Sequence, residues 1–226
     1  MVTDRREFIG HIAAGAMLGA VPLSFEGAFR AMEVPTVSGA AEPWDLSWTN
    51  RVKGKYRVVL DSPEISSAYG VWRSSFWAKQ YQDVLGAKPS DTSSVLVLRH
   101  NGIALAMQQS FWDKYGIGKL KNVTHPVTEE PTTGNPALFS STRGEVPAQF
   151  DDFALDKFIA RGGVALACNL ALQDMIGLVQ KNDGVSAEQA RAQAIAALVP
   201  GVILQPSGVF AALRAQDVGC NYLMAS

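Results

Sequence analysis

What most constrains this chain is a rhythm in its apolar residues. Short β-branched runs alternate with longer stretches whose apolar side chains recur at helical spacing. Strands are expected at 56–61, 94–99, 164–168, 202–205 and 220–224. Helices are expected at 66–85, 103–115, 151–161, 169–181, 186–198 and 209–216. Gly86, Gly116 and Gly162–Gly163 stand where helices should stop, and Ser186 and Asp151 or Asp152 where they should start. The run 94–99 is apolar on both faces, as a central strand covered by helices must be. Strands that alternate with helices form parallel βαβ units. The expected fold class is therefore α/β, a three-layer α/β/α domain with a mainly parallel sheet of about five strands.

The segments before the first strand read differently. Arg5 and Arg6 are adjacent, with Phe8 and Ile9 just beyond, which resembles the twin-arginine (Tat) export motif. A weakly apolar Ala/Gly-rich stretch, 12–23, follows, then Arg30, and small residues at Ser38 and Ala40 suit a signal peptidase. Residues 1–40 are thus expected to be a signal peptide recognised through Arg5, Arg6 and Phe8, with an uncleaved anchor as the alternative. This predicts export in the folded state by the Tat machinery to the periplasm, with membrane contact only through the signal. Residues 41–54, with Trp44 and Trp48, read as an arm that docks its tryptophans on the domain spanning 55–226. Within that domain, 117–150 is rich in Pro, Thr, Gly and Ser and too long for an ordinary connection. It is a lid, an oligomer contact or an unstructured insertion.

Composition narrows the function. The chain has 20 Lys and Arg against 21 Asp and Glu, so no net charge draws it to nucleic acid. An apolar content of 47% argues against disorder. Two cysteines and three scattered histidines do not make a Cys/His zinc site, so no metal site is assigned, and carboxylate binding of a hard cation stays open. No cofactor is expected. Gly116-Ile117-Gly118-Lys119 does not follow a strand and lacks phosphate-loop spacing, and neither G-x-S-x-G nor a G-x-G-x-x-G after the first strand occurs.

In open parallel sheets, ligands bind beyond the carboxyl ends of the strands. That rule selects Asp61, His100, Asn101, Cys168, Asn169, Ser207 and Gly208. Cys168 ends a strand and begins a helix, where free amide N–H groups lower a thiol pKa. The other reading is a buried structural thiol. His100 is an acid/base candidate or a ring held by loop groups. Ser207 suits a helix cap better than a nucleophile. Cys220 opens the last strand, so a strand's length, roughly 10–15 Å, separates it from Cys168. A disulfide needs Cα atoms within about 7 Å, so no bridge is expected.

The runs 97–106 (VLRHNGIALA), 167–172 (ACNLAL), 200–202 (PGV) and 206–209 (PSGV) are similar to the DsrE/DsrF-like proteins, in particular an exported, Tat-signalled branch. The resemblance covers about 55–224. It implies a three-layer domain, a homo-oligomer, and, as in sulfur-handling members, a cysteine at the place of Cys168 that carries a persulfide to or from a partner. Two functions follow as expectations. One is a periplasmic sulfur carrier or thiol-dependent transferase with Cys168 as acceptor, assisted by His100, with a sulfur donor or acceptor protein as partner. The other is a non-catalytic periplasmic ligand-binding or scaffold module.

Overall fold

The computed structural model describes residues 44–226. Arg5, Arg6, Phe8 and the expected cleavage region lie outside the described residues. Five strands, Tyr56–Ser62 (β1), Thr92–Leu98 (β2), Val164–Cys168 (β3), Ile203–Gln205 (β4) and Asn221–Met224 (β5), form one sheet in the order β4-β3-β2-β1-β5. Every neighbouring pair is parallel. Helices cover both sides, which makes the three-layer α/β/α fold.

Strand order explains how the layers fill. From β1 to β4 the chain steps one way across the sheet, and crossovers of one hand then lie on one face. That face carries Tyr69–Leu85 (α1), Gln109–Tyr115 (α2), Ile117–Leu120 (α3), Leu155–Ala160 (α4), Asn169–Asp183 (α5) and Ala187–Ala196 (α6). The step from β4 back past β1 to β5 runs the other way, so Gly208–Asp217 (α7) lies on the opposite face. The period of two sorts the side chains. Leu60, Leu96, Leu98, Ala165 and Ala167 face the first layer, whereas Val59, Val95, Val97, Val164 and Leu166 face α7. Ala211, Ala212 and Ala215 let α7 lie close to the sheet. The arm completes this thin layer. Its turn Ser47–Arg51 buries Trp48, whose Nε1 donates to Gln205 Oε1 at 3.2 Å. Trp44 stays partly exposed.

Two expected helices differ from the sequence reading. The stretch 103–115 begins as a 3-10 segment, His100–Ala106, and breaks at Met107 and Gln108 before α2. There the backbone bonds outward instead of along a helix: Gln108 N donates to Ala197 O, and Ala106 O accepts from Val199 N. The stretch 151–161 is likewise a 3-10 segment, Ala148–Phe153, followed by α4. Asp151 caps neither, because its carboxylate takes the N–H and hydroxyl of Ser141. Helix α1 starts at Tyr69, after three left-handed residues, Ser66, Ser67 and Ala68. Ser186 caps α6 in a reciprocal box with Gln189, and Gly86 ends α1 at φ 65°.

The insertion 117–150 is irregular but packed. Ile117, Val123 and Ala137 join the larger core, and Asn135 is fully buried, its amide donating to Leu105 O and Met107 O. His125 folds the loop on itself, with Nε2 at Glu145 O and Nδ1 accepting from Val127 N and Thr128 N.

Trp48→Ala removes the largest side chain of the thin layer. It is expected to destabilise the domain by about 3–5 kcal/mol, read as a lowered midpoint in urea unfolding. An unchanged midpoint would show that the arm is not part of the cooperative unit.

Candidate functional site

Asp61 faces the α7 side of β1 and is almost wholly buried. Arg99, one residue beyond β2, meets it bidentately: Nε to Oδ1 and Nη2 to Oδ2, both at 2.8 Å. From β5, Tyr222 donates its hydroxyl to Oδ2 at 2.7 Å. The carboxylate offered as a ligand group by sequence is therefore held inside the protein. Hydrogen bonding to Asp61 raises the Arg99 pKa, and Tyr222's own bond to Asp61, with burial, raises that of Tyr222. Gly208 belongs to this cluster as packing. A Cβ there would come within 2.5 Å of Arg99 Cβ, so only glycine lets α7 begin against the arginine stem. Ser207 caps α7, its Oγ accepting from Phe210 N at 3.0 Å.

The accessible polar groups gather one loop further out, on a residue the sequence reading passed over. Glu64 Oε1 lies 3.0 Å from His100 Nδ1, and its Oε2 accepts from Asn101 Nδ2 at 2.9 Å. Asn101 Oδ1 in turn accepts from Lys121 Nζ at 3.0 Å. Beside the carboxylate, the imidazole carries a hydrogen on Nδ1. Glu64, Asn101 and Lys121 of this chain line a cleft of about 340 Å³ that also takes in Ser66, Ser67 and Thr124, while His100 stands outside its lining. Ser67 and Thr124 join hydroxyls at 2.8 Å. The surrounding backbone is strained. Ser66, Ser67, Ala68, His100 and Asn122 adopt φ of 37°, 51°, 64°, 49° and 50°. Non-glycine residues in this region cost of order 1–3 kcal/mol each, and such outliers cluster at ligand sites.

Lys121 comes from the insertion, so that segment forms a wall of the cleft. The pairing of Glu64 with His100 and of Lys121 with Asn101 spans 36 and 20 residues of sequence and has no periodic signal. The one available cue was that Glu64 follows β1 by two residues, on the same rim as Asp61.

Cys168 sits elsewhere on that rim. It caps α5, with Sγ accepting from Ala171 N at 3.4 Å, and is 6% exposed. Strands β2 and β3 run parallel, as an assembled rim requires. Yet the His100 ring is engaged by Glu64, and among the described residues the Cys168 sulfur has only the Ala171 amide as a hydrogen-bond partner. Thiol and imidazole do not form a pair. Asn169 is buried and its Oδ1 accepts from Arg191 Nη1 at 2.9 Å, so it too is structural. Cys220 lies at the other end of the strands. Burial pushes its thiol up to about 11, with Arg57 opposing, and both cysteines are free, as expected.

A larger cavity of about 420 Å³ lies at the amino ends of the strands. Its arginines serve the structure. Arg51 Nη2 donates to Gly162 O and Gly163 O, and Arg161 Nη2 to Ser75 Oγ and Asp152 O. Among the described residues no group of three or more His, Cys, Asp and Glu is placed to hold a metal ion, and no helix is long and apolar enough to cross a membrane.

No protein-family model and no curated protein matches the chain. Among solved structures, it is similar to a protein of unknown function from Methanobacterium thermoautotrophicum, at 14% identity and a TM-score of 0.37, over 75% of this chain and 98% of that one.

The Asp61–Tyr222 bond makes a measurable prediction. A raised phenol pKa favours the neutral form in the fold. Its stabilising effect is full below the ordinary tyrosine value and is lost as pH rises through the folded value. The ultraviolet titration of wild type minus Tyr222→Phe is expected to show a phenol ionising above about 10, and Asp61→Asn to bring it down. A difference titration at the ordinary value would remove this bond from the solution structure.

Proposed function

We propose that the chain is an exported α/β module that binds a small polar ligand in the cleft between the ends of β1 and β2 and the insertion. The observation that carries this reading is the Lys121–Asn101–Glu64 chain lining a cleft of about 340 Å³, with His100 bonded to Glu64 outside that lining. That volume falls in the range of small-molecule sites. The groups present suit a ligand with an anionic oxygen near hydroxyl or amine groups. Lys121 and the Asn101 amide donate, the Glu64 carboxylate accepts, and Ser66, Ser67 and Thr124 do either. The Arg5–Arg6 motif supports the export half of the proposal, with the periplasm as the place of work.

A second reading has its own support. Cys168 Sγ lies at the start of the 15-residue α5 and accepts an amide N–H there. The DsrE-like motifs around it point to sulfur transfer. In that step the Cys168 thiolate attacks the outer sulfur of a donor persulfide, forms an S–S bond and releases the donor as a thiolate. Its near-complete burial ranks this reading second.

One set of measurements separates the two. Calorimetry with amino acids, hydroxy acids and monosaccharides is expected to find a ligand whose affinity falls roughly 10–100-fold in Asn101→Ala and Lys121→Ala. Cys168→Ser should leave it unchanged. A gain of about 32 Da on Cys168 after incubation with polysulfide, with no ligand found, would favour the sulfur reading instead.

Replacing both Arg5 and Arg6 by Lys is expected to leave the protein in the cytoplasmic fraction of an expressing bacterium. Unaltered appearance in the periplasmic fraction would refute the Tat assignment.

A further inference from the structure

The two edges of the sheet are finished differently. At one edge, β4 has no exposed residue, and its Gln205 is hydrogen-bonded to the arm through Trp48 Nε1 and Asp45 O. At the other, all four residues of β5 are exposed, with Tyr222 at 44%, Leu223 at 49% and Met224 at 59%. Edge strands are ordinarily guarded by charge, proline, a bulge or a cover. From Val218 to Ser226 there is no charged residue and no proline. Among the described residues nothing covers this edge.

The ladder fixes which backbone groups face outward. Ala225 N donates to Asp61 O, so Ala225 points toward β1. Alternation along the strand directs Leu223 and Asn221 the same way and leaves the N–H and C=O of Tyr222 and Met224 facing out. This pattern is self-complementary. In an antiparallel pair centred on Leu223, Tyr222 of one strand lies opposite Met224 of the other. Each such pair exchanges two N–H···O bonds, so the two symmetry-related pairs make four and leave no outward group of the two residues unpaired. The aromatic ring of Tyr222 then meets the thioether of Met224, a favourable contact, and the two Leu223 side chains meet on the twofold axis.

We propose that two copies of this chain associate through β5 in this register, extending the five-stranded sheet into a ten-stranded one. A second copy is the occupant because an isologous contact needs one patch that complements itself, and this one does in both backbone and side chains. The contact surface of a four-residue strand is small, so the dimer is concentration-dependent, with Kd on the order of 10 µM.

Sedimentation equilibrium of the full chain over a hundredfold concentration range tests the proposal. The expected result is a monomer–dimer equilibrium that Leu223→Lys weakens roughly tenfold or more, since like charges then face each other. Val209→Lys, on the exposed face of α7, leaves it unchanged. Circular dichroism confirms that the variants are folded. Leu223→Cys provides a second readout that keeps the apolar axis. Residues facing in a non-hydrogen-bonded pair have Cα atoms about 4.5 Å apart, within disulfide range. Mild oxidation should therefore give a linked dimer on a non-reducing gel, while buried Cys168 and Cys220 give none in wild type. A monomer at every concentration, a dimer indifferent to Leu223→Lys, or a Leu223→Cys variant that fails to cross-link would each overturn the proposal.

Discussion

Asp61 is a carboxylate that folding withdraws from water at the end of a buried strand, and Arg99 reaches both its oxygens only because β1 and β2 are parallel and set Ser62 beside Leu98. Leaving such a charge buried without its partner costs about 3–5 kcal/mol. A slip of one residue between the two strands would do that, and would also turn Leu60 and Leu96 away from the helices they pack against. Tyr222 brings β5 to the same carboxylate, and the Arg99 stem receives the first residue of α7 at Gly208. One ion pair thus meets three strands and α7 on its face.

The layers around this pair are unequal for a topological reason. Three crossovers in one direction place six α-helices against one face, and the single reversed crossover leaves α7 and the arm to cover the other. Alanines at 211, 212 and 215 make that cover close-fitting, and Trp48 supplies the bulk they lack. The reversed crossover also delivers β5 to the edge beside β1. The short, uncharged edge and the thin layer have the same cause.

Much of the architecture could be read from residue patterns. All five strands lie where short apolar runs between turn signals predict them, within two residues at each end, and Ser186, Ser207 and Gly86 cap as their types suggest. These signals are local: a strand, a cap or a stop is chosen by residues within a few positions. The misread helices at 103–115 and 151–161 fail for the complementary reason. Met107–Gln108 is held open by carbonyls and amides near 197–199, and Asp151 is claimed by Ser141. The site divides the same way. That Asp61, His100, Asn101 and Cys168 share a rim follows from parallel strands. That Asp61 is engaged by Arg99, His100 by Glu64, and Cys168 sealed from solvent follows from which loops meet.

By itself, then, the order of residues determined the α/β class, the parallel rim, the caps at Ser186, Ser207 and Gly86 and the separation of the two thiols, because each rests on hydrophobic period or turn chemistry within a short span. Tertiary structure alone decided that Glu64 and Lys121 organise the cleft and that β5 is exposed among the described residues. Those outcomes depend on contacts between loops and edges distant in sequence, and a pair interaction at such distance leaves no periodic mark in either segment.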